Sequence, residues 1–425
     1  MARLTWGTRA GRVVLSSCGA LVALALIAGG YYWWGGPHER SVARQVLDEA
    51  CRGVLPAQEL RAVLGDGPYR SGPGRSGLRD AGRPEEHDRG EIRQESCSVS
   101  RDTEHHAGHP TRDASVDVDV QQVPEHATDG TSADRPADLP RGFGPLYPTV
   151  STDLPPAALG HGWHGLFSTE ESNGSSSGDG SATVAVLLEC ARDGGGLLVT
   201  VGVQEEDVTL DDPRRRTAYA RIATATAAKA AGKWGCDADL GEAPRTVALP
   251  VNRDEDVPLA DASGTCRGVP GRGGRISRAW ESASSGGPVE VCVVAGGRTG
   301  VPLLTPLDEA DRYHLVAYYG PYAETQRLDY REHQGRYAEK PGPGEAAAGR
   351  LAGGGHWASA TCRGGGGPAL FTVRDDVADR SEYDARGRRH ATKPSASDLA
   401  YERAALREFA ERSARAHGCG APKLP

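Results

Sequence analysis

Eight cysteines set the firmest limit on how this chain can fold: Cys51, Cys97, Cys190, Cys236, Cys266, Cys292, Cys362 and Cys419. An even set of this kind reads as a disulfide framework made in an oxidising compartment. No Cys-x-x-Cys occurs, so neither a zinc knuckle nor a thioredoxin-type redox pair is indicated. The eight form two parallel quartets. In the first, Cys190 closes the strand-like Thr183–Leu188 stretch, a glycine turn and Leu197–Val203 follow, and a helical stretch from Thr217 runs to Gly235-Cys236. In the second, Cys362 closes His356–Cys362, glycines and Ala369–Val373 follow, and a helical stretch from Leu399 runs to Gly418-Cys419. Ala218-Tyr219-Ala220-Arg221 answers Ala400-Tyr401-Glu402-Arg403 if one residue is inserted before Cys419. Each unit thus reads strand, glycine turn, strand, long helix, Gly-Cys, an internal repeat. Three pairings are open in each quartet. The economical one joins 51–97, 190–236, 266–292 and 362–419. Bridges worth ~2–4 kcal/mol each suit a chain with only 4 Phe and 1 Met to fill its cores.

The ninth cysteine, Cys18, sits in a run from Val13 to Trp34 that holds no charged residue. At ~1.5 Å per residue such a run crosses a ~30 Å hydrocarbon core. Arg3, Arg9 and Arg12 precede it, and Tyr31, Tyr32, Trp33 and Trp34 close it. The positive-inside rule then predicts a cytoplasmic tail over 1–12, a transmembrane helix over 13–34 and an exported remainder. Two rivals differ on processing. A lipobox reading of Leu15-Ser16-Ser17-Cys18 fails because the apolar run follows the cysteine. A cleaved signal peptide ending near Ala23-Leu24-Ala25 is opposed by apolar residues continuing to Trp34.

The whole chain carries a net charge of −8, and only five of its 49 cationic residues are lysines. That balance argues against nucleic acid as a partner. The only Gly-Lys pair, Gly232-Lys233, is followed by Trp234, so there is no phosphate-binding loop of the Walker type. With 57 Gly and 28 Pro, loops are long and elements short. Val116, Val118 and Val120 alternate with Asp117 and Asp119, predicting a half-buried strand over Ser115–Val123. Ser98–Arg101, Val289–Ala295 and His314–Tyr319 are further strands. Helices are expected over Ser41–Ala50 and from Pro56 to the Gly65 stop. Tyr219, Ile222, Thr226, Ala230 and Trp234 step along one helical face, and Leu399, Leu406, Phe409 and Ala416 along another. Residues 66–95, 127–145 and 169–181 read as loops. The fold class expected is α+β. An N-terminal transmembrane helix precedes two tandem, similar, disulfide-stapled modules (38–244 and 265–425, linker 245–264), each an antiparallel sheet covered by helices.

The chemistry-bearing residues do not converge. His105, His106 and His109 form the best metal-like cluster, and three imidazoles suit Zn²⁺ with an open position. Their segment has no apolar periodicity to frame them, so a solvated loop is the simpler reading. Gly174-Ser175-Ser176-Ser177-Gly178 matches Gly-x-Ser-x-Gly by letter, without the strand before and helix after that a nucleophile elbow needs. Trp163-His164 and His356-Trp357 set indole beside imidazole near strands. They offer a stacking platform for a wall ligand, or bury the indoles over the disulfides. Asp211-Asp212 and Glu205-Glu206 precede the first long helix and suit capping.

Several segments carry a resemblance: Leu159-Gly-His-Gly-Trp-His-Gly-Leu166, Val186-Leu-Leu-Glu-Cys190, Ala223 to Cys236, and Glu402 to Ala410. In these the chain resembles a family of uncharacterised, single-pass, membrane-anchored cell-envelope proteins of high-GC, streptomycete-type actinobacteria with tandem cysteine-containing ectodomains. Cys51-Arg52-Gly53-Val54-Leu55-Pro56-Ala57 with its later cysteine is similar, more loosely, to small envelope lipoproteins, from which the chain departs in lacking a usable lipobox. The resemblance implies the plasma membrane and an extracytoplasmic ectodomain, and implies no activity. The expectation is a non-catalytic protein without a cofactor, held in the membrane by its N-terminal helix and binding or scaffolding an envelope protein or wall ligand. The alternative is an extracytoplasmic hydrolase using His105 and His109 with metal, or His164 with a nearby carboxylate.

Overall fold

The structure is a computed structural model. It describes residues 41–73, 94–103, 111–123, 154–169, 180–191, 196–205, 208–283, 287–297, 312–320, 322–323, 326–327, 348–351, 355–362, 367–375, 381–383, 389–391 and 394–425. Two seven-stranded antiparallel sheets hold the chain together. The first takes β1 (Tyr69–Pro73), β2 (Gln94–Thr103), β3 (Thr111–Val123), β4 (Ala157–Gly160), β5 (Trp163–Thr169), β6 (Ala182–Glu189) and β7 (Gly196–Glu205) in the order β1-β2-β3-β7-β6-β5-β4. Helix α1 (residues 41–49), α2 (Ala57–Leu64) and α3 (Pro213–Trp234) pack on one face of it.

The second sheet takes β8 (Val257–Pro258), β9 (Arg278–Glu281), β10 (Val289–Ala295), β11 (Arg312–Tyr319), β12 (Gly349–Arg350), β13 (His356–Thr361) and β14 (Pro368–Asp375) in the order β12-β13-β14-β11-β10-β9-β8. A hairpin of β15 (Ser381–Tyr383) and β16 (Arg389–Ala391) precedes α4 (Ala396–Ala416). In both units the chain runs inward from one edge, crosses to the other, runs inward again, and leaves the centre for its long helix.

The correspondence extends to register. Cys97, Val118, Val201 and Val184 lie in one row across β2, β3, β7 and β6. Cys292, Leu315, Val373 and His356 form the same row across β10, β11, β14 and β13. The four bridges are Cys51–Cys97, Cys190–Cys236, Cys266–Cys292 and Cys362–Cys419, the consecutive pairing within each quartet.

Three apolar clusters define the layers. One lies between the first sheet and its helices, with Val116, Val118 and Val120 of β3 facing Tyr219, Ile222 and Ala227 of α3. Another lies between the second sheet and α4, where Phe371 and Leu315 meet Leu406 and Phe409. The third joins the far faces of the two sheets. Leu166, Ala185, Leu187 and Leu198 meet Trp280, Val291, Val293, Val316, Trp357 and Leu370. The molecule is therefore a four-layer stack of helices, sheet, sheet and helix. Each sheet is covered on both faces, rather than by helices alone.

The expected fold class needs one correction. The α+β class with two antiparallel sheets and four disulfides holds, but among the described residues no helix is long and apolar enough to cross a membrane. Helices α3 and α4 have the length, at 22 and 21 residues. They are amphipathic, and charges such as Arg214, Arg221, Lys229 and Arg403, Arg407, Glu408 on their outer faces would be costly in lipid. Residues 1–12 and 13–34, read as tail and transmembrane helix, lie outside the described residues.

Candidate functional site

The expected site residues do not come together. His105, His106 and His109 lie outside the described residues. Among the described residues no group of three His, Cys, Asp or Glu is placed to hold a metal ion. Trp163 is half-buried against the first unit's core, its Nε1 donating to Glu242 O at 2.7 Å. Gly241 lies so close that a Cβ there would meet the indole at 2.5 Å. His164, its neighbour, is half-buried in β5.

The platform expected of His356 and Trp357 is corrected by their burial. Both are 1 % exposed, and strand alternation sends them to opposite faces, His356 toward α4 and Trp357 into the layer between the sheets. Neither can stack on a ligand. His356 Nδ1 instead lies 2.8 Å from Glu402 Oε2, a pair sealed under α4.

Of the carboxylates before α3, Asp212 and Glu205 take structural roles, and Glu206 lies outside the described residues. Asp212 is the N-cap and accepts from Arg214 N at 2.9 Å. Glu205 accepts from Tyr219 Oη at 2.5 Å and from Arg215 at 3.1 Å. Burial first, and then the Glu205 bond, push the Tyr219 phenol well above its ordinary value, so it stays a neutral donor.

What does gather functional groups is the C-terminal end of α4, which the sequence reading did not single out. There a surface cavity of about 350 Å³ is lined by Ser263, Gly264, Arg267, Arg412, Arg415 and Ala416. Arg412 forms its inner wall. It is 8 % exposed, donates through Nη2 to Thr265 O, and lies 5.4 Å from the Phe409 ring centroid. Its Nε is buried without a hydrogen-bond partner among the described residues. Burial above all holds its guanidinium below the ordinary value; Glu290 opposes this and Arg267 adds to it. Arg267 has no carboxylate partner among the described residues, and Arg415 meets only Glu411, loosely, at 4.0 Å.

Beneath Arg412 runs a closed polar chain. Ser413 Oγ donates to Glu290 Oε2 at 2.6 Å. That leaves the Tyr319 hydroxyl to donate to Ser413 Oγ, 2.5 Å away. His417 stacks on the Tyr319 ring with centroids 3.6 Å apart. Its ring nitrogens face Ser413 O and Gly287 O at 3.0 and 3.1 Å, not the Ser413 hydroxyl. Ser413 is fully buried and its hydroxyl faces a carboxylate, so this constellation lacks the exposed nucleophile and adjacent base of covalent catalysis.

One clue was readable in the sequence. Cys51-Arg52-Gly53-Val54 and Cys266-Arg267-Gly268-Val269 repeat the same four residues at the head of each unit. No protein-family model, curated protein or solved structure matches this chain.

Proposed function

We propose that this is a non-catalytic extracytoplasmic protein that binds or scaffolds a component of the cell envelope. The observation that supports it best is the distribution of the four bridges. Each unit carries two, one tying the N-terminal segment to an inner strand and one tying the long helix back to the sheet. Such density is typical of proteins that work in an oxidising compartment. The bridges tie helix and head segment to each sheet, and a surface cavity at the end of α4 is walled by guanidinium groups, which favours holding an anionic group over transforming it.

Alkylation of thiols in the native protein before and after reduction, read by mass spectrometry, tests the compartment. All eight cysteines are expected to be protected until reduced, and free thiols in the native state would defeat the reading. Turnover of an envelope substrate by the purified chain would defeat its non-catalytic part.

A further inference from the structure

We infer that the cavity at the C-terminal end of α4 is a phosphate-binding site, taking a small ligand that carries a phosphate monoester. This rests on the binding reading above and names the chemistry that the site accepts. The internal repeat supplies the argument, because the first unit shows the same framework with its arginine paired to an acid. The N-caps Asp212 and Ser395 stand equally far in sequence before Cys236 and Cys419, so α3 and α4 align without a gap. On that alignment Arg412 answers Lys229, Ser413 answers Ala230, and Arg415 answers Gly232. At the head of the units Arg267 answers Arg52, and the register of β2 and β10 makes Glu290 answer Glu95.

In the first unit Arg52 pairs with Glu95 at 3.5 Å, so its charge is met within the protein. In the second, Ser413 offers the carboxylate a hydroxyl that Ala230 lacks, and Glu290 turns inward to it at 2.6 Å. Arg267 is thereby left without its acid. The other acid nearby, Glu281, is occupied by the backbone N–H groups of Ser263, Gly264 and Cys266 at 2.7, 2.8 and 3.1 Å. Arg415 adds a guanidinium where the first unit has a glycine. Three cations therefore face one cavity in the second unit, and among the described residues none forms a close ion pair with a carboxylate, although Glu290 and Glu281 act on Arg412 from a distance.

A simpler account is that cations near a helix C-terminus only balance the helix dipole. It covers Arg412 and Arg415. It leaves out Arg267, which comes from a loop, and α3 forms its last turn with Gly232 in place of Arg415. Three guanidiniums match the three oxygens and near-double charge of a phosphate monoester better than the two oxygens of a carboxylate. The cavity is of the size that admits a small ligand.

Isothermal titration of the full-length, oxidised chain with inorganic phosphate, and separately with succinate, at fixed ionic strength tests this. Expected are one phosphate site per chain, weaker binding of succinate, and loss of affinity as sodium chloride is raised. Arg267 and Arg415 are exposed, so the double variant R267A/R415A should keep its four bridges and melting temperature while binding phosphate about tenfold or more weakly. If that variant loses its fold, Arg267→Gln alone carries the same comparison. No saturable phosphate binding, affinity unchanged in the variant, or succinate binding as tightly as phosphate would each overturn the site. These failures are distinct from free cysteines in the native protein, which would overturn the extracytoplasmic reading and leave phosphate binding standing.

Discussion

The buried pair His356–Glu402 places polar groups where the first unit has apolar or aromatic ones. His356 lies in the row that Val184 occupies in the first unit, and Glu402 stands on α4 where Tyr219 stands on α3. The pair is 2.8 Å apart and almost wholly excluded from water, and Glu402 Oε1 has no hydrogen-bond partner among the described residues. A pair of this kind adds little net stability over well-packed apolar residues, while removing one member strands the other. Glu402→Ala and His356→Ala should therefore each cost about 3–5 kcal/mol. The double variant H356V/E402L, which restores the apolar character of the first unit's row, should cost much less than the two losses added. Urea unfolding of the four proteins closes the cycle. Additive losses would show that the two side chains do not depend on each other.

At the scale of elements, the two long helices are built alike and capped differently. Helix α3 starts at Asp212 with Pro213 in its first turn, and α4 starts with a capping box. Ser395 Oγ accepts from Asp398 N at 3.2 Å, and Asp398 accepts from Ser395 N at 2.7 Å. Arg272, from the head of the unit, donates to the same carboxylate. Burial alone would raise the Asp398 carboxyl, but the Ser395 bonds and Arg272 outweigh it and hold it below its ordinary value. A depressed native value means stabilisation that is complete above the unfolded carboxylate range, roughly pH 4, and is lost as pH falls through the lower native value. Asp398→Asn should cost about 1 kcal/mol at neutral pH and flatten the acid limb of a stability-against-pH curve. A variant whose acid limb matches the wild type would remove Asp398 from the account.

How far these elements were legible varied with how much local sequence decided them. β3 and β10 were readable because Val116, Val118 and Val120, and Val289 to Ala295, are unambiguous β patterns. β1, β4 and β5 were not. β1 and β4 are short and rich in Gly, Pro, Ser or Ala, and β5 is interrupted by Gly165 and lacks a period-two pattern, so each becomes a strand because a neighbour pairs with it. The repeat was visible, yet its helix register was misjudged by one residue. Local likeness of Ala-Tyr-x-Arg suggested that Tyr219 answers Tyr401, whereas the distance from cap to cysteine pairs Tyr219 with Glu402. The cavity was least legible, since Arg267 and Arg415 lie far apart in sequence and meet only after the bridges have drawn the head and tail of the unit together.

Over the whole molecule the two units share one apolar layer rather than standing apart. Leu187 and Leu198 of the first sheet and Trp280, Val291 and Trp357 of the second belong to a single buried cluster. Separating the units would bare all of these surfaces to water, at about 25 cal/mol for every Å² of apolar area exposed. The bridges act within units: their loops of 46, 46, 26 and 57 residues close inside one quartet or the other, and none crosses between them. Cooperativity between the units therefore depends on the layer and not on the disulfides. Calorimetry of the oxidised chain should show one transition whose calorimetric and van't Hoff enthalpies agree. Trp357→Ala opens a cavity in the layer and should cost about 3–5 kcal/mol, lowering that single transition as a whole. Two transitions, of which only the second unit's moves in the variant, would show that the sheets touch without being coupled.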